Sequence, residues 1–331
     1  MQKKVIFLCE ASNKIGAGHV MRCIALAEEM KKKLWHCFFV AKKETYEFIP
    51  ILKTFHFLNE QEYLNNPFDC DLIVLDRYDQ AAVRENPPFK YAKKIMVLDD
   101  HANRLHECDL LVDAVLGRKE KDYVNLVSSS CRKLVGPCYS ILRKEIREGV
   151  ETCLEKRKRT SKIQHILINF GGGEQKKFIF SALQAIKNTL FTGDISIVFG
   201  FSKVSEELIK ELQNSGVSQK LHIYNSTDMV ERIYQADLSI GSPGGAFFER
   251  CALGLPSILY DIVPHQKVMS SVLRKLNCPG AIVVDNLNHS LTKTLEVILS
   301  FKYSDLFHSL IDLCDEKGVE YIVNSIEEIL I

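Results

Sequence analysis

The residues best placed to do chemistry follow glycine-rich loops. The first such loop reads Ser12-Asn13-Lys14-Ile15-Gly16-Ala17-Gly18-His19 and leads directly into a helical stretch that carries Arg22 one turn later. Gly16 and Gly18 allow the backbone to approach a ligand closely. A histidine at a helix start meets the positive end of the dipole, which disfavours imidazolium, so His19 is expected to be neutral near pH 7. Such a side chain suits a general base. A lone histidine is more often a cap or a packing residue. This one, however, follows a glycine loop at the carboxyl end of a strand, with Arg22 on the same helix face. Met21 stands where G-x-G-x-x-G needs its last glycine, so the loop is not a dinucleotide fingerprint.

Two further loops carry glycines. Asn169-Phe170-Gly171-Gly172-Gly173-Glu174 offers close approach to a phosphate or sugar, and a plain tight turn explains it almost as well. Gly241-Ser242-Pro243-Gly244-Gly245-Ala246-Phe247-Phe248-Glu249-Arg250 runs from a strand through a glycine turn into a helix. The free N–H groups at Gly244 and Gly245 suit a diphosphate. Glu249, one turn in, has the carboxylate to accept two ribose hydroxyls; pairing with Arg250 on an exposed helix face is the plain alternative. Asp99 and Asp100, which follow another strand, and Glu249 rank second to His19 as bases, since paired carboxylates after a strand also cap loops or hold cations.

These residues need strands and helices to position them. Short apolar runs at 5–9, 37–41, 71–76, 94–98 and 109–113 read as strands covered on both faces. The clearest helix, over 19–33, puts Val20, Cys23, Ile24, Ala27 and Met30 on one stripe and ends on three lysines. Between about 143 and 162 the periodicity fades into charge runs that read as a solvated connection. Strand runs then resume at 163–170, 195–199, 221–224, 237–240, 257–260 and 281–284. The last residues, from Ser290, read as helical and either finish the second domain or cross back to the first. The expectation is α/β: two doubly wound, Rossmann-like domains of the GT-B type, over 1–145 and 160–331, facing across a cleft that holds the site.

Composition sets the outer limits. The 331 residues suffice for about two domains at ~150 residues each. With 46% hydrophobic and 26% charged residues, and only 17 Gly and 9 Pro, the chain is an ordinary globular one. Lys and Arg (43) nearly cancel Asp and Glu (42), which argues against a nucleic-acid partner. The 11 cysteines form no C-x-x-C and read as buried small apolar residues. No apolar run approaches the ~18 residues of a membrane helix, and the N-terminal run stops at Glu10. A cytoplasmic protein, monomeric or weakly oligomeric, is expected. No His, Asp and Glu grouping has the spacing of a metal site, so neither metal nor cofactor is expected.

The chain resembles the UDP-sugar hydrolases of pseudaminic acid biosynthesis, which are similar in fold to the MurG-like GT-B glycosyltransferases. The resemblance rests on Ile15 through Cys23; Val97-Leu98-Asp99-Asp100 and His106 through Asp113; Val135 through Tyr139; Asn169 through Gly172; and Phe248 through Pro256. It implies cleavage of UDP-2,4-diacetamido-2,4,6-trideoxy-β-L-altropyranose by water at the anomeric carbon, with inversion and release of UDP. It implies His19 as the catalytic histidine, Tyr78 as an active-site tyrosine, and Met229, His265 and Gln266 among the substrate contacts. Three departures stand out. Gly245, Ala246 and Phe247 replace phosphate-binding hydroxyls, Ala114-Val115 replaces Gln-Asn, and His265-Gln266 replaces Asn-Gln. A GT-B glycosyltransferase and a non-catalytic nucleotide-sugar binding protein are the alternatives.

Overall fold

Apolar runs with few breaks build sheets that are buried on both faces. The computed structural model describes residues 2–13, 15–171, 175–200, 204–225 and 228–331. They form two units, Met1–Lys144 with Asp315–Ile331, and Glu145–Cys314.

The first unit contains β1 (Lys4–Cys9), β2 (His36–Ala41), β3 (His56–Asn59), β4 (Cys70–Asp76), β5 (Ala92–Leu98), β6 (Leu110–Asp113) and β7 (Arg132–Val135). They lie in the order β3-β2-β1-β4-β5-β6-β7, and every neighbouring pair is parallel. Helices α1 (Gly18–Lys32), α2 (Lys43–Phe48) and α3 (Glu60–Asn65) connect the early strands. The stripe Val20, Cys23, Ile24, Ala27 and Met30 of α1 is buried, as its spacing requires. Strand order reverses between β1 and β4, and their register sets Cys9 beside Asp76. A reversal of this kind opens a crevice at the strands' carboxyl ends, where the loop carrying His19 begins.

Two strands escape the sequence reading. β3 (HFLN) and β7 (RKLV) are short strands at the sheet's two edges and are only partly buried, so neither shows the continuous apolar run of a central strand. Of the two placements open to the last residues, the helix Gly318–Ile329 takes the return to the first unit. Its buried Val319, Ile322, Val323 and Ile326 pack beside α1, where Trp35 Nε1 donates to Glu327 at 2.6 Å and Lys33 to Asn324 at 2.7 Å. Gly318 starts this helix so close to Ser140 that a Cβ would lie 2.3 Å from its carbonyl oxygen.

The second unit contains β8 (His165–Asn169), β9 (Asp194–Val198), β10 (Leu221–Tyr224), β11 (Leu238–Gly241), β12 (Ser257–Leu259) and β13 (Ala281–Val283). Their order, β10-β9-β8-β11-β12-β13, is again wholly parallel and reverses between β8 and β11. The helices are α4 (Lys144–Arg159), α5 (Lys176–Lys187), α6 (Glu206–Gln213), α7 (Met229–Gln235), α8 (Gly245–Ala252), α9 (Lys267–Leu276), α10 (His289–Ile298) and α11 (Tyr303–Ile311). Where the charge runs suggest a solvated connection, α4 forms and buries Ile146, Cys153 and Arg157.

Arg157 is fully buried and replaces solvent with three carbonyls. It donates to Ile233 O and Ala236 O at 2.5 Å and to Leu253 O at 3.3 Å. Its removal would take this donor from Ile233 O and Leu253 O in a dry site, while Ala236 O keeps Lys156 Nζ at 3.1 Å. Arg157→Met is therefore expected to destabilise the protein by about 3 kcal/mol, read as the loss in urea unfolding followed by circular dichroism. A loss below about 0.5 kcal/mol, the range of an ordinary surface change, would contradict this role.

Candidate functional site

In the first unit the candidates converge at the reversal point. Ser12 and Gly16 exchange backbone hydrogen bonds (Gly16 N to Ser12 O, 2.7 Å), closing a turn in which Gly16 takes φ +88°. That is a left-handed conformation, and glycine adopts it at no steric cost. Gly18 opens α1, and a Cβ there would meet nothing within 4 Å, so the helix start is open to a ligand. Ala17, the N-cap, provides no side-chain bond to the first helical N–H groups.

His19 is the second residue of α1 and only 6% exposed. Burial pushes its imidazole below the ordinary histidine value, and the positive charge of Arg22 adds to this, against opposition from Asp76. Its Nδ1 lies 3.8 Å from Asp76 Oδ1, beyond hydrogen-bond distance. Asp76 ends β4 and is itself buried. Arg22 grips it with both ends of the fork, Nε to Oδ2 at 2.6 Å and Nη2 to Oδ1 at 2.5 Å, while the Cys23 thiol approaches Oδ2 at 3.6 Å. Burial favours protonating Asp76, but Arg22, His19 and Cys23 together outweigh it and hold the carboxyl below its usual range. Asp76 is the residue the sequence reading missed. Its signal in the sequence was a carboxylate closing an apolar strand run at 71–76.

Tyr78 sets one wall. Its ring meets His19 edge-on at 4.4 Å between centroids and stacks on His101 at 4.4 Å and 10°. Its hydroxyl donates to Asp100 Oδ2 at 2.9 Å, and Arg22 Nη1 reaches the same oxygen at 3.5 Å. Arg104 fixes the Tyr78 loop by donating to the carbonyls of Arg77, Tyr78 and Gln80 at 2.6–3.2 Å.

Asp99 is occupied with holding its own loop. It accepts from Ala102 N (2.9 Å), His101 N (3.3 Å), Tyr123 Oη (3.0 Å) and Arg104 (3.3 Å) and is 2% exposed. Burial raises its proton affinity, yet these donors bring it below the usual value. Its geometry orients Asp100 and His101 instead of facing a reacting water. Asp113 shares the same tyrosine: Tyr123 Oη lies 2.7 Å from its Oδ2, with Arg118 Nε at 2.7 Å and Val115 N at 2.8 Å from Oδ1. One phenolic proton cannot serve two ionised carboxylates. Burial pushes the Asp113 carboxyl up to about 6, so below that pH Asp113 carries the second proton itself.

In the second unit the register sets Gly241 beside Asn169, and a Cβ on Gly241 would lie 2.3 Å from Asn169 O. The two glycine loops thus leave adjacent strand ends. Gly171, at φ +101°, has open space around it; Gly172 lies outside the described residues. Helix α8 begins after Gly244 with no side-chain cap, and a Cβ at Gly245 would meet nothing within 4 Å. Glu249 is half-buried on α8. Arg250 does not form a surface pair with it, since its guanidinium turns inward, donating to Ser242 O at 2.8 Å and Ser257 Oγ at 3.1 Å, and is 1% exposed. Gln266 is buried, and its Oε1 accepts from Ile262 N at 2.8 Å while its amide lies next to Gly244. His265 is half-buried in the same turn, and Met229 is the first residue of α7, behind the Asp228 cap. Among the described residues no cluster of three His, Cys, Asp or Glu side chains could hold a metal ion, and no helix is long and apolar enough to cross a membrane.

The raised Asp113 carboxyl has a consequence for stability. Its protonated form favours the fold, so its contribution is complete below pH ~4 and fades as pH rises through about 6, by about 3 kcal/mol in all. Relative to Asp113→Asn, the native protein is expected to lose stability between pH 4.5 and 7, measured by urea unfolding at both pH values. A difference that stays constant with pH would show that Asp113 titrates normally.

No protein-family model matches the chain. It is 25% identical over 287 residues to "Uncharacterized protein MJ1062" of Methanocaldococcus jannaschii, covering 83% of this chain and 59% of that protein. It is 25% identical over 170 residues to the UDP-2,4-diacetamido-2,4,6-trideoxy-beta-L-altropyranose hydrolase of Campylobacter jejuni, covering 46% of this chain and 57% of that protein. The matches therefore span less than two thirds of either relative's length. Among solved structures, MurG of Acinetobacter baumannii superposes with a TM-score of 0.66 at 13% identity, over 98% of this chain and 99% of that one. Two parallel-sheet α/β units in the manner of that glycosyltransferase fold are thus common to both chains.

Proposed function

We propose that this chain is a nucleotide-sugar hydrolase that releases UDP from UDP-2,4-diacetamido-2,4,6-trideoxy-β-L-altropyranose by water attack at the anomeric carbon, with inversion. The observation that carries this reading is the buried His19, neutral near pH 7, at the open start of α1 beside the Asp76 carboxylate. The named activity of the Campylobacter relative supports the choice of substrate. His19 takes a proton from water as the water oxygen bonds to the anomeric carbon. The glycosidic C–O bond breaks, and its electron pair leaves on the diphosphate. The uncapped N–H groups at Gly244 and Gly245 suit that developing charge, and Glu249 suits the ribose hydroxyls. Every step uses protein groups alone.

Turnover in ¹⁸O-water, with neither metal nor acceptor, is expected to place label in the free sugar and none in UDP. EDTA should leave the rate unchanged. His19→Asn should slow turnover by about 10²–10⁴-fold while UDP still binds. Because burial lowers its imidazole, the acid limb of kcat/KM should lie below about pH 6.5. Near-normal turnover of His19→Asn would remove the base assignment. UDP release only when a sugar acceptor is added would make the chain a glycosyltransferase, and UDP binding without turnover would make it a nucleotide-sugar binding protein.

A further inference from the structure

The catalytic reading of His19 leaves one question open: which of its two nitrogens carries the proton. Among the described residues, Nδ1 is buried and has no hydrogen-bond partner. The polar group it faces is Asp76 Oδ1, at 3.8 Å. Asp76 has no proton to offer, because both of its oxygens accept from the Arg22 guanidinium and the Cys23 thiol approaches the second. An Nδ1 lone pair aimed at a buried carboxylate would be repelled, whereas an Nδ1–H is attracted to it. The ring is also confined. Tyr78 closes one side edge-on at 4.4 Å and is itself stacked on His101 and tied to Asp100.

We infer that Asp76, held in place by Arg22, is a positioning residue that fixes neutral His19 as the Nδ1–H tautomer and leaves Nε2 as the nitrogen that takes the proton. The inference rests on His19 as the base and adds how that base is prepared. The histidine side chain in water prefers the opposite tautomer only weakly, so one buried carboxylate is enough to reverse it. The charges facing the ring come from four elements: Asp76 at the end of β4, Arg22 on α1, Glu10 after β1 and Asp100 after β5. Of these, Asp76 faces Nδ1 directly, and the 3.8 Å separation shortens to a hydrogen bond by a small shift of either side chain.

The test reads the proton without any substrate, so it stands or falls apart from the hydrolase reading. In protein labelled with ¹⁵N-histidine, nuclear magnetic resonance above the titration range should show His19 mainly as the Nδ1–H form. Asp76→Asn keeps the shape and removes the charge. It should move His19 toward the Nε2–H form and shift its protonation to lower pH, because the group that raises its proton affinity is gone. On the UDP-sugar, the same variant should lower kcat by about a hundred-fold with little change in KM. A dominant Nε2–H tautomer in the native protein overturns the inference by itself, even if the variant fails to fold. An unchanged tautomer and titration in a folded Asp76→Asn variant overturns it equally.

Discussion

The bidentate pair between Arg22 and Asp76 is the contact on which the geometry around His19 depends. It joins the second turn of α1 to the carboxyl end of β4, so the helix that carries His19 is registered to the strand next to β1. Burying the Asp76 charge has a large desolvation cost, which fork-to-fork geometry offsets, and removing Arg22 leaves that carboxylate without its bidentate partner at a cost of about 3–5 kcal/mol. Such a pair does little for net stability. Its value is directional: it fixes a carboxylate beside an imidazole and keeps that carboxylate ionised.

The same arrangement suits His19 to the proposed role of a base at neutral pH. Burial alone would lower the imidazole far and leave a weak base, and a full ion pair with Asp76 would raise it and leave a base already protonated. Asp76 at 3.8 Å, with its charge shared with Arg22, sits between these extremes. Tyr78 completes the balance by excluding water from one edge while spending its hydroxyl on Asp100. Behind it, Asp99, Tyr123 and Asp113 form a dry layer that holds the Asp100 loop, and Arg104 ties that layer to the Tyr78 loop.

How much of this was legible in the sequence depends on the range of each interaction. The central strands are continuous apolar runs, and the stripe of α1 lies within one helix, so both are local signals. His19 and Arg22 stand on one helix face, and their association is equally local. The partner of both, Asp76, lies 54 residues beyond Arg22, and only the pairing of β1 with β4 brings it in. Sequence spacing holds no trace of that pairing, although parallel topology makes it a natural one. The charged run at 155–159 misled for another reason. Charge counts suggest solvent, yet Ile146, Cys153 and Arg157 recur at intervals of seven and four and form a buried stripe whose last member is a guanidinium. There the periodicity outweighs the polarity, because three carbonyls await the charge.

The second unit solves a different problem with fewer charges. Helix α8 follows Gly244 and starts with Gly245 and Ala246, and no side chain caps it. Arg250, the cation nearest in sequence, is turned into the core to hold the carbonyl of Ser242 and the hydroxyl of Ser257, where burial lowers its affinity for protons to about 10. It remains charged at neutral pH but cannot reach a ligand at the helix start. A diphosphate bound there under the proposed function would be met by neutral backbone dipoles. Dipoles fixed by the helix cost no reorganisation as charge moves onto the leaving group, and the attraction they exert falls away within about one turn. They also lack the full positive charge that would hold the product after cleavage. Backbone donors in place of side-chain cations therefore suit a site that must stabilise UDP as it departs and then release it.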